Sequence, residues 1–237
     1  MRVTFLAHDG FLIELNTVCL LFDWWKEPIP PLPDKPLLVF ISHRHEDHFN
    51  PEVFTLAERK ADIQFLLGSD FHLLSRNLEK WRLTPEAAAK CRRCGKHDVF
   101  QPLPAVTVET FPSTDEGVAW MVTAEDKAIF HAGDLNWWHW AEEGDAWNRN
   151  MEANFKRYTE PLRGRRADLA MLPLDPRLES GGDLGPDYFL RLMDVRRFFP
   201  MHQWDHFEFT DEFLKRYPQF APITVKIHHN LETFQLD

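Results

Sequence analysis

The segment His43-Arg44-His45-Glu46-Asp47-His48 places three imidazoles and the Asp47 carboxylate within one short turn, directly after the apolar run Leu37-Leu38-Val39-Phe40-Ile41. Groups crowded in this way repel or compete once protonated. A bound divalent cation turns the crowding to advantage, because neutral imidazole and carboxylate are ligands for zinc-like metals. His43 and His45 are two residues apart, so on an extended backbone they point the same way and can grip one ion. Asp47 and His48 come after the chain has begun to turn and can face a second ion nearby. The apolar run reads as a buried strand, so the cluster sits at a strand end.

Other segments carry compatible signals. Ala128-Ile129-Phe130 leads into His131-Ala132-Gly133-Asp134, and Phe198-Phe199-Pro200-Met201 leads into His202. Near the N-terminus, His8-Asp9-Gly10-Phe11-Leu12-Ile13-Glu14 and Leu20-Leu21-Phe22-Asp23 read as opening strands. The ordered set, with every fixed position of HxHxDH filled by His43, His45, Asp47 and His48, resembles the metallo-β-lactamase superfamily over nearly the whole chain. The resemblance implies an α/β fold, a four-layer αββα sandwich, as a single domain over 1–237.

It also implies a ligand set. His43 and His45 would hold a first ion, Asp47, His48 and His202 a second, and Asp134 would bridge the two. The family's further histidine for the first ion is missing, since the corresponding loop reads Pro112-Ser113-Thr114-Asp115-Glu116-Gly117. Asp115 is the expected substitute; the alternative is that it only turns the loop, which would leave one ion bound. Two zinc ions are the expected cofactor, with manganese or iron as alternatives. Flavodiiron relatives have a glutamate where this chain has His45, which argues against an oxygen-reducing iron centre.

The activity implied is a metal-dependent hydrolase that turns a metal-bound hydroxide on a small-molecule ester, lactone, amide or phosphodiester, with Asp47 also handling a proton. The short form is most similar to the branch containing ascorbate-phosphate lactonase. A phosphodiesterase or nuclease, and a non-catalytic binding protein of the same fold, are the alternatives. His8, Trp137 and His139 are the expected substrate contacts. His206 is a further candidate for the pocket wall, and Asp23 is expected to hold a metal-loop histidine from behind. No nucleophile elbow, P-loop or dinucleotide fingerprint competes.

Composition bounds the rest. A chain of 237 residues, 44% hydrophobic and 27% charged, suits one well-buried core of an ordinary globular protein. A net charge of -10 argues against a nucleic-acid partner. No signal peptide, no membrane-length apolar run and three cysteines lead to an expected cytoplasmic location. A small-molecule substrate is the expected partner, with no membrane, and a homo-oligomer stays open. Cys91-x-x-Cys94 lacks a second pair to close a zinc site. Expected strands lie at 3–7, 11–15, 18–22, 37–41, 63–67, 105–111, 118–123, 128–131, 168–172, 197–201 and 223–228. Expected helices begin at Pro51 and Pro85 and span 69–80, 145–158, 186–195 and 211–217.

Overall fold

The computed structural model describes residues 1–236; Asp237, the last residue of the single unit expected over 1–237, lies outside them. The chain first forms β1 (Arg2–Phe5), β2 (Phe11–Glu14), β3 (Cys19–Phe22), β4 (Leu37–Ile41) and β5 (Ile63–Leu67). Two short helices follow, α1 (Ser75–Lys80) and α2 (Pro85–Ala89), and then β6 (Cys91–Arg93). A second run contains β7 (Val99–Leu103), β8 (Val106–Pro112), β9 (Val118–Ala124) and β10 (Lys127–His131). After α3 (Asp145–Thr159) come β11 (Arg166–Ala167), β12 (Leu169–Pro173), α4 (Leu184–Leu192), β13 (Asp194–Val195), β14 (Phe198–Met201) and α5 (Phe209–Arg216). The last strand, β15 (Thr233–Gln235), returns to pair with β1.

The strands form a seven-stranded sheet in the order β15-β1-β2-β3-β4-β5-β6 and a six-stranded sheet in the order β14-β12-β10-β9-β8-β7; β11 and β13 make a small separate ladder. Period-two alternation explains how the sheets pack. Leu20 and Phe22 of β3, with Leu38 and Phe40 of β4, face the second sheet and meet Trp120, Val122 and Phe130. Their neighbours Cys19, Leu21, Leu37, Val39 and Ile41 face the other way. Both strands are therefore buried on two faces, as their unbroken apolar sequences require of parallel strands inside a sheet.

Helical segments cover the outer faces. Asn50 accepts a hydrogen bond from the Glu52 amide and starts a 3-10 turn over Pro51–Glu58, which lays Val53 and Phe54 on the first sheet beside Trp81 and Ala87. Phe155 of α3, Phe189 of α4 and Phe213 of α5 pack with the second sheet. The result is the expected helix–sheet–sheet–helix arrangement. No helix among the described residues is long and apolar enough to cross a membrane.

Two local expectations need correction. The helix expected over 69–80 begins only at Ser75, because Asp70 turns its carboxylate to accept the Arg44 amide at 3.0 Å and the Ser69 carbonyl accepts from Arg93. The strand expected over 223–228 is reduced to a bridge between Phe198 and Thr224, beyond which the His228 amide donates to Glu232 and turns the chain. The short edge strands β6 and β7 show no readable period, since β6 has only three residues and Pro102 interrupts β7.

Candidate metal centre

Parallel strands deliver most of the polar residues to one rim. β3 and β4 run parallel and end in Asp23 and in the His43–His48 loop. β10, β12 and β14 also run parallel and end before Asp134, Asp175 and His202. The β1–β2 turn adds His8 and Asp9, and the β8–β9 turn adds Asp115. Loops at the carboxyl ends of parallel strands are the usual place for a site in such sheets.

Two clusters of ligand atoms share Asp134. In the first, single atoms of His43, His45, Asp115 and Asp134 all lie within 4.8 Å of one another. His43 Nε2 is 3.0 Å from His45 Nδ1 and 3.4 Å from Asp134 Oδ2, and Asp115 Oδ2 is 3.7 Å from His45 Nδ1. Asp115 thus faces the cluster while also turning its loop, its amide bonding to Ser113 Oγ at 3.1 Å. In the second cluster, Asp134 Oδ1 is 3.2 Å from His48 Nε2 and 3.4 Å from His202 Nε2. Asp9 completes that set, and His48 and His202 also group with Asp47 and His8, His8 Nε2 lying 3.4 Å from Asp47 Oδ2. All of the ligands expected from the sequence come together, and His8 stands among them rather than at the outer rim.

A ring of buried carboxylates fixes the histidines from behind. His48 Nδ1 is 3.0 Å from Asp23 Oδ2, and His202 Nδ1 is 2.9 Å from Asp175 Oδ2. Ser42 Oγ donates to Asp23 at 2.5 Å and accepts from His43 Nδ1 at 2.9 Å. Each Nδ1 proton is thereby committed outward, which leaves Nε2 lone pairs aimed inward. His48 Nε2, His8 Nε2, Asp134 Oδ1 and both oxygens of Asp9 are buried without a hydrogen-bond partner. Each such atom costs about 1–3 kcal/mol unless something satisfies it. Buried ligand atoms that converge without a hydrogen-bond partner are what a cation resolves, so these residues fit the metal that the motif implies. His8, Asp23 and His202 also hold left-handed backbone at φ 55, 38 and 63, strain of the kind that accumulates at functional sites.

The electrostatics of these groups follow from burial and from their mutual charges. Burial would raise the Asp134 carboxyl, but His48, His202 and His43 outweigh it and hold it well below the usual range. Burial would lower His48, but Asp134 and Asp9 hold it well above the usual range, and the same two carboxylates raise His202. Burial pushes His43 down to about 3 and His8 to about 4, and it pushes Asp9 up to about 7. Burial would raise Asp47, yet its contact with His8 keeps it below the ordinary carboxylate value.

A cavity of about 490 Å³ opens over the clusters, with Trp138, Trp140, Trp147 and Met151 as its apolar wall and Arg177 at its rim. Trp137 and His139 are not among the residues lining this cavity. Trp137 turns away from the cavity and packs on Phe155 and Tyr188 under the Lys156 ammonium, because adjacent residues on this extended segment point to opposite sides. His139 packs against Gly181 rather than into the cavity, and His206 lines a neighbouring hollow. His131 is structural: Nε2 pairs with the Asp9 carbonyl, Nδ1 accepts the Gly133 amide, and the ring stacks on Phe22. Asp9, Asp175, Trp147 and Arg177 were not singled out from the sequence. Asp9 adjoins His8, and Asp175 follows an apolar strand as Asp23 does, which is the one signal that could have found it.

Residues 2–146 match the sequence profile of a beta-lactamase superfamily domain. The chain belongs to the metallo-β-lactamase superfamily. It is 36% identical over 67 residues to a metal-dependent hydrolase of Desulforamulus reducens, a stretch covering 27% of this chain and 29% of that protein. The matched stretches cover only 18% and 29% of the two curated relatives. Among solved structures, the fold is similar to a metallo hydrolase of Ignicoccus hospitalis, with TM-score 0.61 and 16% identity over 100% of this chain and 99% of that one. It is also similar to a diiron β-hydroxylase of Streptomyces venezuelae, with TM-score 0.65 and 10% identity over 99% of this chain and 54% of the other.

Proposed function

We propose that this metallo-β-lactamase superfamily protein is a metal-dependent hydrolase of small molecules, acting on an ester, lactone, amide or phosphodiester. The observation that carries the reading is the pair of inward-facing acceptor sets on either side of Asp134. His43, His45, Asp115 and Asp134 would hold one ion. Asp134, Asp47, His48 and His202 would hold the other, with His8 in reach of it. The nitrogen-rich donor set favours zinc, while the carboxylates keep manganese and iron in play; the diiron relative of the same fold makes iron the comparison to run.

When bound, such ions act as Lewis acids on a substrate oxygen and make a coordinated water acidic. The chain's own groups do the remainder. Asp47 lines the cavity and stays ionised, so its carboxylate is placed to take a proton from the attacking water and pass it to the leaving group. Asp23 and Asp175 keep His48 and His202 oriented, and the tryptophan wall excludes bulk water from one side of the reacting group. The test is elemental analysis of reconstituted protein alongside a screen of lactones, esters and phosphodiesters. About two ions per chain and hydrolysis abolished by chelation are expected. No bound transition metal after reconstitution, or an Asp47→Ala variant as active as the parent, would overturn the reading.

A further inference from the structure

Among the residues lining the cavity, Arg177 alone carries a permanent positive charge. Its position is fixed twice over. Asp175 accepts from the Arg177 amide at 2.8 Å and takes the Nε–Nη2 edge of the guanidinium, at 3.0 and 3.1 Å from Nε and 2.6 Å from Nη2. The planar group lies 4.5 Å from the Trp204 ring and 5.7 Å from the Trp140 ring. The Nη1 side of the fork makes no hydrogen bond to the described residues. A guanidinium has five N–H donors, and a second planar acid can take the edge that Asp175 leaves.

We propose that Arg177 is a specificity-determining residue that reads a carboxylate on the substrate. The substrate would carry that carboxylate at one end, an apolar or aromatic portion against Trp138, Trp140 and Trp147, and the scissile group over the ligand clusters. This proposal rests on the hydrolase reading above. A fixed cation at the mouth of a cavity walled by Trp138, Trp140 and Trp147 on one side and by Asp47, Asp115 and Asp134 on the other is a selective feature, since a neutral substrate gains nothing from it. The same Asp175 holds Arg177 and His202, so occupation of the rim is tied mechanically to the second ligand cluster. A purely structural Arg177, present only to hold Asp175, would not discriminate between charged and neutral ligands of the same shape.

The test reads that discrimination directly. Phenylacetate and its neutral isostere phenylacetamide are titrated into metal-stripped and zinc-loaded protein, with quenching of tryptophan fluorescence as the signal. Stripped wild type is expected to bind phenylacetate at least about tenfold more tightly than phenylacetamide. Arg177→Gln brings the ratio to within about twofold, and Arg177→Lys, which keeps the charge but loses the fork, lies between. In the kinetic arm, zinc-loaded wild type shows a higher kcat/KM, through KM, for mono-p-nitrophenyl glutarate than for p-nitrophenyl valerate, and Arg177→Gln erases that preference. Equal binding of the two isosteres by wild type, or an unchanged preference in Arg177→Gln, overturns the proposal. If Arg177→Gln does not fold, the isostere ratios of wild type and Arg177→Lys decide. Loss of the kinetic arm with the binding preference intact counts against hydrolysis and leaves the carboxylate site standing.

Discussion

His48 Nε2 and Asp134 Oδ1 stand 3.2 Å apart, both buried and neither hydrogen-bonded. With Nδ1 of His48 committed to Asp23, the gap closes in one of two ways: a proton on the imidazole or a cation between the groups. In metal-free protein the proton wins, because Asp134 and Asp9 outweigh burial and hold His48 well above its ordinary range. Proton and metal therefore compete for the same space. Metal uptake at pH 7 should expel protons, from His48 above all and in part from His202. Calorimetric titration in two buffers of different ionisation enthalpy measures the number; uptake without proton release would refute the competition.

The same competition sets how stability depends on pH. His48 and His202 have folded pKa values above the unfolded value of 6.5, so their contribution is complete below 6.5 and disappears as pH rises through the folded values. Asp9, raised by burial to about 7, works in the same direction up to that point. Stripped protein should lose thermal stability as pH rises above 6.5. Metal-loaded protein, whose imidazoles are already neutral, should not show this decline. Thermal melts of both forms across that range make the comparison, and parallel curves would contradict it.

Asp115 is the expected substitute for the family's further histidine, and its carboxylate lies in one cluster with His43, His45 and Asp134. Asp115→Ala should leave the second cluster intact and reduce the bound metal from about two ions to about one. Asp115→His should keep about two, since imidazole nitrogen binds at a similar length. Elemental analysis after gel filtration distinguishes these outcomes. Two ions retained by Asp115→Ala would show that the loop only turns the chain.

Much of this centre is legible in the sequence for a physical reason: each ligand follows a strand whose apolar run marks where it ends. His43, Asp134 and His202 are readable in that way, and so is Asp23 as the group behind His48. Asp175 has the same position after β12 but lies outside the motif, so only its contact with His202 reveals it. The cavity wall is harder to read. Trp137 and Trp138 are neighbours, and nothing in the one-dimensional pattern tells which of two adjacent indoles on an irregular segment faces the cavity. Trp147 and Arg177 reach the rim from α3 and from the segment after β12 respectively, and no local signal couples them to the histidine cluster. The two edge strands were unreadable because their stability comes from pairing with β5 and β8 rather than from their own composition.

Gly117 links the fold to the site. It holds φ +70, and a Cβ placed on it would lie 1.9 Å from the Ser42 carbonyl oxygen and 2.7 Å from the His43 Cβ. The same carbonyl accepts the Val118 amide at 3.1 Å, so the β8–β9 turn and the metal loop interlock where only glycine fits. Gly164 also holds φ +70 but has nothing within 4 Å of its would-be Cβ. The two positions separate backbone strain from crowding. Gly164→Ala should cost about 1 kcal/mol, the strain alone. Gly117→Ala adds the crowding and should cost about 2–4 kcal/mol, a fall in Tm of roughly 5–15 °C for a chain of this size. It should also weaken the first metal position, because relief of the clash displaces His43. Paired melts and metal titrations of the two variants test this; equal losses at both glycines would mean that the turn does not brace the ligand loop.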